Sequence, residues 1–248
     1  MLALFCLRLA FGLFVGMLVL PASRVNPRFF RTHLLILLGL AAVAAASAWE
    51  TLGAEVRWAL GTAMLLAFAG SFSWSLEDAP GGRALILMTG VALGTALTLS
   101  LRQTPGPTAS AWLLADGFTG ALVLGMALSA MLLGHLYLIA PGMALAPLFR
   151  LLGGLALALA ARTILAGLAL TLWASERSLR LTDLALLWLP VRWGLGLLAP
   201  AVLTGMAWQS ARIRSTQSAT GILYIAVVFC FLGELMGLLL LNETGYPL

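Results

Sequence analysis

The sequence predicts an all-α, polytopic integral membrane protein of about eight transmembrane helices in one bundle, a single transmembrane domain over residues 1–248. Three observations carry that prediction. First, 62% of the residues are hydrophobic and only 9% are charged, with a mean hydropathy of +1.04. A soluble domain carries roughly 25% charged residues, so this chain lacks the polar groups to cover a water-facing surface. Second, apolar runs long enough to approach a hydrocarbon core of about 30 Å, at about 1.5 Å per helical residue, recur along the whole length. Third, the separators between runs carry Pro, Gly and charged residues, and tryptophans gather near the run ends.

Taken in order, the expected spans are Leu2–Leu20, His33–Trp49, Val56–Trp74, Ala84–Leu101, Ala111–Leu138, Pro147–Trp173, Pro190–Ser210 and Ala219–Leu241. In the first, Gly12 and Gly16 form a small-residue face suited to helix packing, and Arg8 shares that face. Pro21-Ala22-Ser23 resembles a signal-peptide cleavage region. Arg8, however, falls within the apolar run rather than before it, so a retained helix is expected. The second span follows Pro21, Pro27 and a cluster of arginines; the third follows Glu50 to Glu55. Glu77-Asp78-Ala79-Pro80-Gly81-Gly82 precedes the fourth, which has its own pair, Gly90 and Gly94. Thr104-Pro105-Gly106-Pro107 introduces the fifth, along which Gly117, Ala121, Gly125 and Ser129 step down one face. Pro141-Gly142 breaks the chain before the sixth, and the charged stretch Ser175 to Asp183 follows it. Leu184–Leu189 is expected to lie along the interface before Pro190 opens the seventh span, and Pro200 to kink it. Before the eighth, Ser215, Thr216, Gln217 and Ser218 are capping candidates. Within it Gly233 and Gly237 make a further packing pair, and Thr220 and Tyr224 place hydroxyls on one face. Trp49, Trp58, Trp74, Trp112, Trp173 and Trp208 fall at span ends, where an indole keeps its N–H among headgroups.

Composition excludes several classes. All 14 of the Lys and Arg residues are arginine, and the net charge is +5. They are scattered over short loops, which leaves no basic face for nucleic acid. Cys6 and Cys230 lie in apolar runs without a CxxC, and no metal-ligand set is available. No nucleophile–His–acid arrangement, P-loop, dinucleotide fingerprint or HExxH occurs, which removes soluble-type hydrolases and kinases and leaves enzymatic activity undecided.

Orientation follows from arginine placement. Arg24, Arg28, Arg31, Arg83, Arg150, Arg212 and Arg214 lie in or beside alternate connections on one side; Arg57, Arg102, Arg177 and Arg180 lie on the other. Positive residues favour the cytoplasm, so both termini are expected outside it, in a bacterial inner membrane.

Ionisable residues inside the runs are the informative ones, because leaving them in lipid costs several kcal/mol. Arg8, Asp116, Arg162 and Glu234 share one depth if the first span enters from outside. They are read as an intramembrane polar network, with Arg162 and Glu234 as its clearest members. Two interpretations of it stand: a lining for a proton path, quinone pocket or polar cavity, or a structural salt bridge. Arg192, like Asp116, is near enough to a span start to reach the interface. A second candidate site is His135, Tyr137 and Arg150, an imidazole, a phenol and a guanidinium suited to a quinone carbonyl or an anionic lipid headgroup. His33 and His135 are the only histidines and a minimal pair for one b-type haem. Two haems would need more histidines than the chain has.

The expected function is an integral subunit of a larger membrane complex serving respiratory electron or proton transfer, with a quinone or lipid-like ligand. Other membrane subunits and lipid would be its partners. In architecture alone this resembles the membrane subunits that anchor iron–sulfur or molybdenum oxidoreductases. Two alternatives stay open, a transporter for a small anion or lipid intermediate and a structural or assembly scaffold.

Overall fold

A computed structural model of the chain describes residues 1–76, 79–103, 110–140, 142–176 and 184–248. The separators Glu77-Asp78, Thr104-Pro105-Gly106-Pro107 and Pro141, and the residues Arg177, Arg180 and Asp183, lie outside the described residues. The helices are α1 (Leu2–Val19), α2 (Pro27–Ala48), α3 (Ala54–Ser73), α4 (Gly82–Arg102), α5 (Ser110–Ile139) and α6 (Ala146–Glu176), then α7 (Leu184–Trp193), a π-helical turn (Gly194–Leu198), α8 (Ala199–Arg212) and α9 (Thr216–Thr244). Among the described residues eight stretches are long and apolar enough to cross a membrane, α7, the turn and α8 together forming the seventh over Trp188–Arg212. No strand occurs among the described residues.

Local chemistry sets several boundaries. α2 starts at Pro27, six residues before the expected span, because Asn26 accepts a hydrogen bond from the Arg28 backbone N–H at 2.9 Å and Pro27 takes the first helical turn, where its missing N–H is harmless. Arg28 and Arg31 therefore sit on the helix and not in a loop. Gly81, at φ +68°, turns the chain into α4. At the other end of the chain Gly245 adopts φ +77° and returns its N–H to the Leu241 carbonyl, ending α9. Ser215 does precede α9, but its side chain makes no capping hydrogen bond.

The bundle is built around α1 and α5. Buried residues make up 61% of α1 and 56% of the most apolar stretch of α5, against 28% of the corresponding stretch of the seventh span. α1 packs on α5, α2 and α4; α5 also packs on α6 and α9; α2, α3 and α4 form one flank, and α6, α8 and α9 the other. Small residues decide how close α1 and α5 come. A Cβ on Gly12 would collide with the Ala121 carbonyl, one on Gly125 with the Gly12 backbone, and one on Gly16 with the Ser129 side chain. Gly90 and Gly94 play a different part: the rings of Phe14 and Phe11 from α1 fill the space a side chain would need.

The seventh span departs from its sequence reading. α7 runs through Pro190 without a break, where the span was expected to open, and continues into the π-turn. Pro200 stands in the first turn of α8. A proline there leaves the carbonyl one turn back without a donor, and the wider π-turn lies directly before it. Within this turn Gly196 meets Gly233 of α9 almost backbone to backbone.

The tryptophan belt is only partly outward. Trp49, Trp58 and Trp208 are exposed, whereas Trp74 and Trp173 are buried among helices.

Candidate functional site

Four side chains from four helices meet in the apolar interior. Arg8 on α1 donates from Nη2 to Asp116 Oδ2 at 2.6 Å and pairs through Nη1 with Glu234 Oε1. Arg162 on α6 pairs through Nη1 with Asp116 Oδ1 and lies 3.3 Å through Nη2 from Glu234 Oε2. Each carboxylate thus spans both guanidiniums and each guanidinium both carboxylates, a closed and charge-balanced ring. All four side chains are 0–3% exposed. Arg162 also donates to the Asp116 backbone carbonyl at 3.0 Å.

Local sequence explains why the ring closes here. Arg8 lies one and two helical turns before Gly12 and Gly16, and the tight α1–α5 crossing made by those glycines draws its guanidinium in toward Asp116 and Glu234. Gly120, one turn after Asp116, leaves the space that the Glu234 carboxylate occupies; a Cβ there would lie 2.8 Å from the carboxyl carbon. Gly237, three residues beyond Glu234, faces both neighbouring guanidiniums: a Cβ there would lie 3.3 Å from Arg192 Nε and 3.4 Å from Arg162 Nη2, a close fit and not a collision. Neither Gly120 nor the role of Gly237 beside Arg162 is part of the sequence reading. The findable signal is a glycine one helical turn from an intramembrane acid.

Asp116 and Arg192 require correction. Both are buried rather than interfacial, at 2% exposure. Asp116 touches both arginines of the ring and so is as central as Glu234. Arg192 sits beside the ring, donating to the Gly233 carbonyl at 3.0 Å and to the Leu248 carbonyl at 3.3 Å. No acidic side chain among the described residues pairs with it, and its Nη2 has no acceptor.

The second predicted site does not assemble. His135 is exposed, whereas Tyr137 is buried and donates to the Ala144 carbonyl at 2.6 Å, tying the α5–α6 connection to the helix end. Residues two apart point about 200° apart around a helix, so these two cannot share a face. Arg150 turns elsewhere, onto the wall of a cavity it shares with Arg83. Nor does the haem pair form. His33 is fully buried, its Nδ1 2.9 Å from the Phe29 carbonyl and its ring 3.9 Å from that of Phe29, while His135 is exposed on α5, which is not a principal packing partner of α2. Thr220 is buried and Tyr224 exposed, so their hydroxyls do not form one polar patch. Cys6 and Cys230 are free and buried. No cluster of three or more His, Cys, Asp or Glu suited to a metal exists among the described residues.

The ring is balanced as it stands, and its couplings act in a low-dielectric interior where charges interact strongly. A proton reaching either carboxylate would cancel one negative charge and free one arm of each arginine. Protonation of a carboxylate, with release of the guanidinium arms it holds, is the chemistry these four groups themselves make available. Comparison with protein-family models, curated proteins and solved structures finds no match.

Proposed function

We propose that this chain is the membrane-embedded subunit of a larger, respiratory-type complex, in which the Arg8–Asp116–Arg162–Glu234 ring relays protons and a quinone or lipid-like molecule from the bilayer is the ligand. The observation that carries the proposal is four ionisable side chains converging from α1, α5, α6 and α9 at 0–3% exposure. Stability alone gives little reason for such a cluster, because well-packed apolar residues often replace a buried ion pair at no loss or with a gain of about 1–4 kcal/mol. Intramembrane ionisable residues commonly mark proton paths. The short connections between spans support the subunit reading, since any soluble chemistry would have to be brought by a partner.

A second reading, a small-anion or lipid-intermediate transporter, draws on the π-turn. Broken helices beside a midplane charge cluster are a recurring feature of transporters, and here the turn abuts Gly233 while Arg192 reaches toward the ring.

The test is to isolate the protein in mild detergent with whatever it retains, reconstitute it, and follow proton uptake with an internal pH-sensitive dye. Uptake is measured under an imposed potential and after addition of a reduced quinone. Wild type should come with partner chains and take up protons, while Asp116→Asn and Glu234→Gln should slow uptake at least about tenfold. Unchanged uptake in variants that remain folded would remove the relay. A chain that purifies alone and carries a labelled organic anion into liposomes would favour the transporter.

A further inference from the structure

The geometry points to a binding site for one anionic phospholipid at the bundle end opposite the N-terminus of α1, with its phosphate held between Arg83 and Arg150. A cavity of about 310 Å³ opens there, about 15 Å along α1 from Arg8, and so stands apart from the buried ring.

Its two ends differ in chemistry. At one, Arg83 from the first turn of α4 and Arg150 from the first turns of α6 are, among the described residues, the only charged ones on the wall. Both are exposed, and neither pairs with a carboxylate among the described residues. Trp74 lines the same space, stacked on Phe30 at 4.5 Å; it is 7% exposed and its indole N–H has no acceptor. α4 begins here without a side-chain cap, so its positive end adds to the field. At the other end the wall is apolar and includes Leu18 and Leu87, which are 46% and 49% exposed on the outer surface of the bundle.

Two guanidiniums and an unmatched indole N–H call for an oxygen-rich anion, and a phosphate accepts from all three. The apolar slot leading outward past Leu18 and Leu87 calls for a hydrocarbon chain. A free phosphate would leave that slot unfilled, and a zwitterionic headgroup would bring its own cation against the arginines. An anionic phospholipid satisfies both ends, its headgroup at the level where the sequence places most of the arginines.

Native mass spectrometry of the detergent-solubilised protein, titrated with phosphatidylglycerol or phosphatidylcholine, tests the site. Wild type should hold one phosphatidylglycerol at least about tenfold more tightly than phosphatidylcholine, and inorganic phosphate at millimolar concentration should not displace it. R83A and R150A should each weaken that binding and the double variant abolish the preference, while R83K/R150K should retain part of it. R212A/R214A removes the same charge from two exposed positions away from the cavity and should leave binding unchanged. Equal retention of the two lipids, or equal loss in R212A/R214A, would reduce the effect to general surface charge and overturn the site. Displacement by inorganic phosphate would make it a free-anion site and overturn the lipid assignment. Because Arg150 is exposed, R150A keeps the test usable should R83A disturb the start of α4.

Discussion

A guanidinium at 0% exposure holds only while both of its carboxylates are present. Removing one member of the ring leaves a net charge in the bundle interior, which costs about 3–5 kcal/mol. Arg162→Leu and Glu234→Leu should each destabilise the protein by about that amount in a thermal melt in detergent. The double variant should cost much less than their sum, because Arg8 and Asp116 still balance one another. Additive losses would show that the two residues do not act together. The glycines give a sharper comparison. Gly120→Ala pushes a methyl group against the Glu234 carboxylate and should lower stability by about 1–3 kcal/mol. Gly61→Ala on α3 meets nothing within 4 Å and should be neutral, or stabilising by up to about 1 kcal/mol. Of the ring, the pairing of Arg162 with Glu234 and the common depth of all four residues could be read from the sequence. The importance of Asp116 could not, because distance from a span end does not say which way a helix face turns.

Among the elements, the seventh span is the one whose form departs from simple periodicity. The π-turn holds one residue more than an α-helical turn would, and that extra residue sets the rotation of everything before it, Arg192 included. Deleting Leu195, which is 42% exposed, should return the stretch to α-helical register and swing Arg192 about 100° away from the Gly233 carbonyl. A large drop in melting temperature is expected for the deletion, and almost none for Leu195→Ala. If both variants melt alike, the turn does not fix the register. α1 and α5 show the opposite case. Their small-residue faces, Gly12/Gly16 and Ala121/Gly125/Ser129, are legible as faces in the sequence, and the structure presses the one against the other.

For the whole molecule, eight crossings return the chain to the side on which it started, and the arginine bias predicts that side to be outside the cytoplasm. Single cysteines introduced at the exposed positions Ser23 and Thr51 should report this with a membrane-impermeant thiol reagent on intact cells. Thr51→Cys, exposed in the connection between α2 and α3, should label only if that connection faces outward. By the expected topology, Thr51→Cys labels and Ser23→Cys does not. The reverse result would invert the orientation, and labelling at both would break the eight-span arrangement. Cys6 and Cys230 are buried and should contribute little background.

The amino-acid sequence determined on its own that this is a membrane bundle, how many times it crosses, where the crossings lie to within a few residues, and which charges are stranded in the apolar runs. Those properties depend on transfer from water to lipid, which is close to a sum over residues along the chain. Partnership was decided only in three dimensions. Arg8 reaches Asp116 and Glu234, 108 and 226 residues away, because glycines let α1 sink against α5. His135 and Tyr137, two residues apart, are kept on different sides of one helix. Side-chain pairing depends on helix rotation and closeness of approach, and those are properties of packed surfaces rather than of any segment read alone.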